Sequence, residues 1–255
     1  MQTFLSDGVR LAYRDIPPEG DNLGEPILLI HGFASSHRIN WIAPGWATTL
    51  TKAGRRTILI DNRGHGDSEK LYDPAAYATQ SMAQDAANLL DHLSVSRADV
   101  MGYSMGARIA AFLALEQPAR VRGLILGGLG DHLVDGVGLP LGVADAMEAP
   151  SLAALLDPTQ RMFRAFAEQN RSDLKALAAC IRGSRQTLTR EQVAAIAAPT
   201  LIAIGTADTV AGDARKLAAM FPQARALDIP GRDHNRAVGD KVYKEGALEF
   251  LAARP

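Results

Sequence analysis

Gly102-Tyr103-Ser104-Met105-Gly106 is the feature that most constrains what this chain can become. It follows a continuous apolar run ending at Tyr103, which reads as a strand covered on both faces, and precedes a helical pattern from Met105 to Gln117. A serine at so sharp a strand-to-helix turn is held in strained backbone geometry, with its hydroxyl pushed out above the sheet. The flanking glycines are needed because a Cβ there would collide with the neighbouring strand and helix. The competing reading is a serine that merely caps a helix after a glycine turn.

The rest of the chain supplies the sheet that such a turn needs. The segment from Thr3 to Ile16 alternates apolar and polar residues around Asp7-Gly8, predicting an antiparallel edge hairpin. After a Pro/Gly/Asp-rich linker come short apolar runs ending at Ile30, Ile60, Tyr103, Gly128, Gly205 and Pro230. Between them lie helical patterns over Trp46–Ala53, Tyr77–Leu93, Met105–Gln117, Asp213–Phe221 and Val238–Ala253. Strands alternating with helices predict an α/β fold, a mostly parallel doubly wound sheet. From Asp131 to Arg190 the pattern is helical and broken by Pro140, Pro150 and Pro158. We read 131–190 as an inserted helical cap on a core made of 1–130 and 191–255.

Lys and Arg number 27 against 28 Asp and Glu, so no strong field gathers nucleic acid or anionic lipid. No apolar stretch is long enough to span a bilayer and the N-terminus lacks a secretory pattern, so a cytoplasmic protein is expected. Cys180, the single cysteine, excludes an intrachain disulfide and reads as a small apolar filler. No residue cluster suggests a metal and no glycine-rich loop is placed to hold a nucleotide, so no cofactor is expected. The expected partner is a small-molecule substrate, and nothing fixes an oligomeric state.

His31-Gly32-Phe33 after the first parallel-strand run and Asp61-Asn62-Arg63-Gly64-His65-Gly66-Asp67-Ser68 after the next accompany the serine turn. With these motifs the chain resembles the α/β-hydrolase fold superfamily over nearly its whole length. The resemblance implies that Ser104 is the nucleophile and that His234, in the loop between the last strand and the last helix, is its general base. Asp208 follows a buried strand and precedes the histidine by 26 positions, giving the order Ser, Asp, His. Asp131, at the end of the preceding strand, competes with it, whereas Asp213 reads as a first-turn helix acid. The resemblance places the oxyanion-binding amides at Phe33 and Met105. His31, His65 and His92 read as structural, and His37 and His132 as candidates for the pocket border.

The serine at the elbow sets aside haloalkane dehalogenases and epoxide hydrolases, whose elbow residue is an aspartate. The group that remains contains carboxylesterases, enol-lactonases, thioesterases and perhydrolases. The expected reaction is cleavage of an ester, lactone or related acyl bond of a small apolar substrate through an acyl-enzyme. Trp41, Leu133, Val137 and Phe163 are the candidate pocket residues, with Ile42 and Trp46 beside them. The cap arginines Arg161, Arg164, Arg182 and Arg185 could clamp a phosphate or CoA tail, but charged residues on cap helices read more simply as solvated. The alternatives are cofactor-free oxygenase or lyase chemistry on the same residues, and a receptor that binds ligand without turnover.

Overall fold

The structure, a computed structural model, describes residues 1–22, 25–136 and 138–253. Strand β1 (Gln2–Ser6) turns at Asp7 and Gly8, with φ of 46° and 83°, and returns as β2 (Val9–Ile16). Positive φ at both central residues is what a tight hairpin turn demands of an Asp-Gly pair. There follow β3 (Ile27–Ile30), β4 (Thr57–Ile60), β5 (Ala98–Tyr103), β6 (Val121–Gly127), β7 (Thr200–Gly205) and β8 (Ala224–Ile229). The sheet runs β1-β2-β4-β3-β5-β6-β7-β8. Among the described residues only the β1–β2 and β2–β4 pairings are antiparallel.

Side chains alternate across a strand, so each apolar run feeds two core layers. Ile27 and Leu29 pack with Trp46, Leu50, Tyr243 and Ala247, which belong to α1 (Trp46–Lys52) and α9 (Lys241–Ala252). Leu28 and Ile30 face the other way, toward Ala86, Leu90, Ile109 and Leu113 of α2 (Thr79–His92) and α3 (Met105–Glu116). Burial on both faces explains why these strands are continuously apolar.

Between β6 and β7 lie α4 (Gly142–Glu148), α5 (Pro158–Gln169), α6 (Leu174–Gly183) and the short α7 (Arg190–Ala194). The stretch contains no strand among the described residues. The last short crossover helix is α8 (Ala214–Ala218). Helix starts differ from the sequence pattern where a local cap takes over. Pro74–Tyr77 forms a separate 3-10 turn ahead of α2, and α9 begins only after Asp240, whose side chain accepts from the Val242 amide at 2.8 Å. Asp213 is the N-cap of α8, accepting from the Arg215 and Lys216 amides.

Candidate active site

β5 delivers Ser104 to the carboxyl edge of the sheet, and α3 begins at the next residue. Ser104 has φ 54° and ψ −116°, a conformation few non-glycine residues adopt. A Cβ at Gly102 would fall on the Gly106 carbonyl, and one at Gly106 on the Ile30 carbonyl of β3. Both glycines are therefore fixed by backbone packing. The Ser104 amide donates to the Gly127 carbonyl at 2.7 Å, holding the turn against β6.

Asp208 lies just beyond β7 and His234 just beyond β8, so the ends of β5, β7 and β8 meet at one edge of the sheet, with β6 between β5 and β7. His234 Nε2 lies 3.0 Å from Ser104 Oγ, and its Nδ1 lies 2.7 Å from Asp208 Oδ2. A carboxylate only accepts, so Nδ1 carries the proton and Nε2 is left to accept from the serine. The other carboxylate oxygen, Oδ1, accepts from the Val210 and Ala211 amides at 2.8 and 3.0 Å, which fixes the acid as well. Tyr103 Oη donates to the His234 carbonyl at 2.6 Å and tethers the histidine loop from below. Asp131, the competing acid, instead accepts from the Asp213 amide at 2.7 Å and lies 3.6 Å from Lys216 Nζ.

The loop after β3 brings Phe33 to the same place. His31 Nδ1 donates to the Gly32 carbonyl at 2.8 Å, while its Nε2 accepts from the Asn62 amide at 3.0 Å. The Gly32 amide donates to Asn40 Oδ1 at 2.7 Å. Asp61 anchors the lower part of this loop system, accepting from the His37 amide, His37 Nδ1 and the Asp67 amide at 2.7, 2.9 and 2.9 Å. Met105 is the first residue of α3, where a backbone N–H has no partner within the helix and the helix dipole is positive. Donors so placed can stabilise negative charge on an oxygen above Ser104.

The family model described as "alpha/beta hydrolase fold" matches residues 25–135. A solved hydrolase from Pseudomonas aeruginosa PA01 is 27% identical and superposes with a TM-score of 0.79, covering 99% of this chain and 98% of that one. The chain belongs to the α/β-hydrolase fold superfamily. The enol-lactonase from Burkholderia xenovorans LB400 has the same fold at 22% identity and TM-score 0.80, covering 98% of this chain and all (100%) of that one. A Bacillus subtilis (strain 168) protein with a provisional 2-succinyl-6-hydroxy-2,4-cyclohexadiene-1-carboxylate synthase name is 36% identical over 124 residues, 48% of this chain. The chain spans less than half the length of the first curated relatives it matches, 42%, 37% and 32%.

In this α/β-hydrolase the space above Ser104 has two lobes that share Ser104 and Phe33. The larger is lined by Ile39, Phe163, Phe166 and Val238 together with His234 and Asn235. The smaller runs under the segment between β6 and β7 and is lined by Met105, Leu129, Leu139, Ile181, Arg108 and Arg185. Phe163 is thus at the pocket. Trp41 is not: it is fully buried in the lower core, edge-on to Trp46 with ring centroids 6.4 Å apart. Successive residues of a helical turn point in different directions, and in Arg38–Ile42 it is Ile39 and Asn40 that face the site. Trp46 packs in the same lower cluster.

Leu133 is also buried, 0% exposed, as part of the upper core instead of the pocket wall. Val137 lies outside the described residues. His37 is bound to Asp61, and His132 Nδ1 donates to the Val210 carbonyl at 3.0 Å; neither lines a lobe. His92 meets Tyr13 Oη at 3.1 Å, far along α2. The Cys180 thiol is pushed up to about 12 by burial, which keeps it protonated. Tyr103 and Arg108 were missed in the sequence because each sits inside a strand or helix pattern that already had a structural explanation, and Asn40 because it lies between patterns, with no signal of its own. Among the described residues no helix is long and apolar enough to cross a membrane, and no group of three or more acidic, histidine or cysteine side chains is placed to hold a metal.

Proposed function

We propose that this chain is a serine hydrolase that cleaves carboxylic esters or lactones through an acyl-enzyme, with Ser104 as nucleophile, His234 as general base and Asp208 as orienting acid. One observation carries the reading: Asp208, His234 and Ser104 form a continuous hydrogen-bonded line that ends at a serine held on a strained turn. His234 Nε2 takes the hydroxyl proton as Ser104 Oγ attacks the carbonyl carbon, and Asp208 stabilises the imidazolium that forms. The amides of Met105 and Phe33 bind the oxyanion. Collapse of the tetrahedral intermediate breaks the bond to the leaving oxygen, which receives the proton from His234. A water molecule then repeats the sequence on the acyl-enzyme and returns the proton to Ser104.

The helical segment 131–190 acts as a cap that shapes both lobes, since α5 supplies Phe163 and Phe166 and the end of α6 supplies Ile181. The name of the enol-lactonase neighbour accords with acyl chemistry on this fold. The test is hydrolysis of 4-nitrophenyl esters from acetate to octanoate by wild type and Ser104→Ala. Loss of a triad nucleophile costs on the order of 10⁶ in kcat, so turnover is expected to vanish in the variant. Equal turnover by both proteins would overturn the assignment.

A further inference from the structure

The two lobes above Ser104 differ in charge. The larger one is lined by no lysine, arginine or carboxylate, and its polar side chains are Ser35, Asn40, Tyr103, Ser104, His234 and Asn235. The smaller one contains two guanidinium groups, Arg108 from α3 and Arg185 from the segment after α6. Arg108 is 4% exposed, and its Nη atoms donate to the carbonyls of His132, Leu133, Gly136 and Gln186. Arg185 donates to the Leu139 carbonyl at 3.0 Å. Among the described residues neither lies within ion-pair distance of a carboxylate.

The other cap arginines are differently placed. Arg164 pairs with Glu168 at 2.7 Å, Arg182 with Glu148 at 2.6 Å, and Arg161 donates to the Leu152 and Leu155 carbonyls. Carbonyls satisfy the donors of Arg108 without neutralising its charge, and a second cation stands nearby. Burial, reinforced by the charge of Arg185, pulls the Arg108 pKa down to about 10. A buried cation without a counter-charge is costly, and an anion entering this lobe would remove that cost.

Which end of the substrate enters follows from the proposed chemistry. His234 must hand its proton to the leaving oxygen, so the leaving group occupies the lobe that His234 lines. The acyl chain then extends into the other lobe. We infer that Arg185, backed by Arg108, forms a carboxylate subsite for the acyl portion, and that the substrates are monoesters or lactones of acids bearing a second carboxylate. Arg108 holds four carbonyls at both ends of the inserted segment and Arg185 holds the Leu139 carbonyl, so Arg185 is the member whose variation disturbs the cap less. The planar guanidinium suits a carboxylate, with two parallel donors for its two oxygens. This inference rests on the serine hydrolase reading and narrows it from acyl bonds in general to those of dicarboxylic acids.

The test compares mono-4-nitrophenyl adipate with 4-nitrophenyl hexanoate, acyl chains of equal length that differ by a terminal carboxylate. Wild type is expected to favour the adipate ester in kcat/KM by about tenfold or more, the scale of one charge-assisted hydrogen bond. Arg185→Gln should abolish the preference, and Arg185→Lys, which keeps the charge, should retain part of it. Hydrolysis of both esters through Ser104 without preference would overturn the subsite and leave the hydrolase reading standing. If neither ester is cleaved, the hydrolase reading falls, and calorimetric titration with adipate itself decides the subsite. Binding at least tenfold tighter to wild type than to Arg185→Gln is expected; equal binding, or none, would overturn it.

Discussion

Two aspartates end neighbouring strands, and only geometry separates their roles. Asp208 holds the imidazole N–H of His234 and two amides of its own loop, whereas Asp131 anchors the start of α8. Asp208→Asn therefore leaves the fold in place but lets the side chain favour the wrong imidazole tautomer, with an expected fall in kcat of about 10⁴. Asp131→Asn should change kcat less than tenfold and act on thermal stability instead. Steady-state kinetics on both variants check this, and an equal loss in the two would reassign the acid. The three residues Ser104, Asp208 and His234 were legible in the sequence because each follows an apolar run whose end is unambiguous. Trp41 was misplaced because proximity in sequence to the Phe33 loop does not say which way a helical turn points. Arg108 was invisible because a lone arginine in an apolar helix reads as a surface residue, and its acceptors come from a segment with no regular pattern.

At the scale of elements, the β5–α3 turn is the part with least freedom. The helix packs so closely across β3 that Gly106 lies against the Ile30 carbonyl, and the strand so closely beneath the helix that Gly102 lies against Gly106. Neither obstacle is a flexible side chain. Gly106→Ala is accordingly expected to destabilise the protein by about 4 kcal/mol or more, at the upper end of single substitutions. Urea unfolding followed by circular dichroism measures it, and a loss below about 1 kcal/mol would mean that helix and strand can separate without cost. The strands were readable because burial on both faces forces continuous apolar runs, and the hairpin because Asp7-Gly8 meets a specific backbone demand. The helices of 131–190 were legible as helical but not in their limits. There Asp157 and Asp173 cap α5 and α6 through single side-chain bonds, which the apolar pattern does not announce.

For the molecule as a whole, the loops beneath the site contain a store of acid sensitivity. Burial, helped by the charge of His31, pulls His65 from 6.5 to about 3, and its ring lies 5.3 Å from that of His31. Burial lowers His31 as well, although Asp61 opposes it. Burial pushes the Asp61 carboxyl up, but the His37 hydrogen bond and the charges of His31 and His37 outweigh it and hold the group at about 2. Below pH 6.5 the unfolded chain binds protons at His65 that the native chain refuses, so stability is complete above that pH and falls as the pH drops toward 3. Asp61 adds a second loss between its ordinary value of 3.8 and about 2, because the folded carboxylate resists the proton that the unfolded one accepts. For His65 alone the loss from pH 7 to pH 5 amounts to about 2 kcal/mol, and His31 acts in the same direction. Urea unfolding at the two pH values should show at least that decrease, with a shallower one in His65→Gln whatever its absolute stability. Equal stability at pH 7 and pH 5 would mean that the two imidazoles take up protons in the native state. His31 would then lose the bond its Nε2 accepts from the Asn62 amide, on which the Phe33 loop stands, whereas His65 Nδ1 would go on donating to the Arg63 carbonyl.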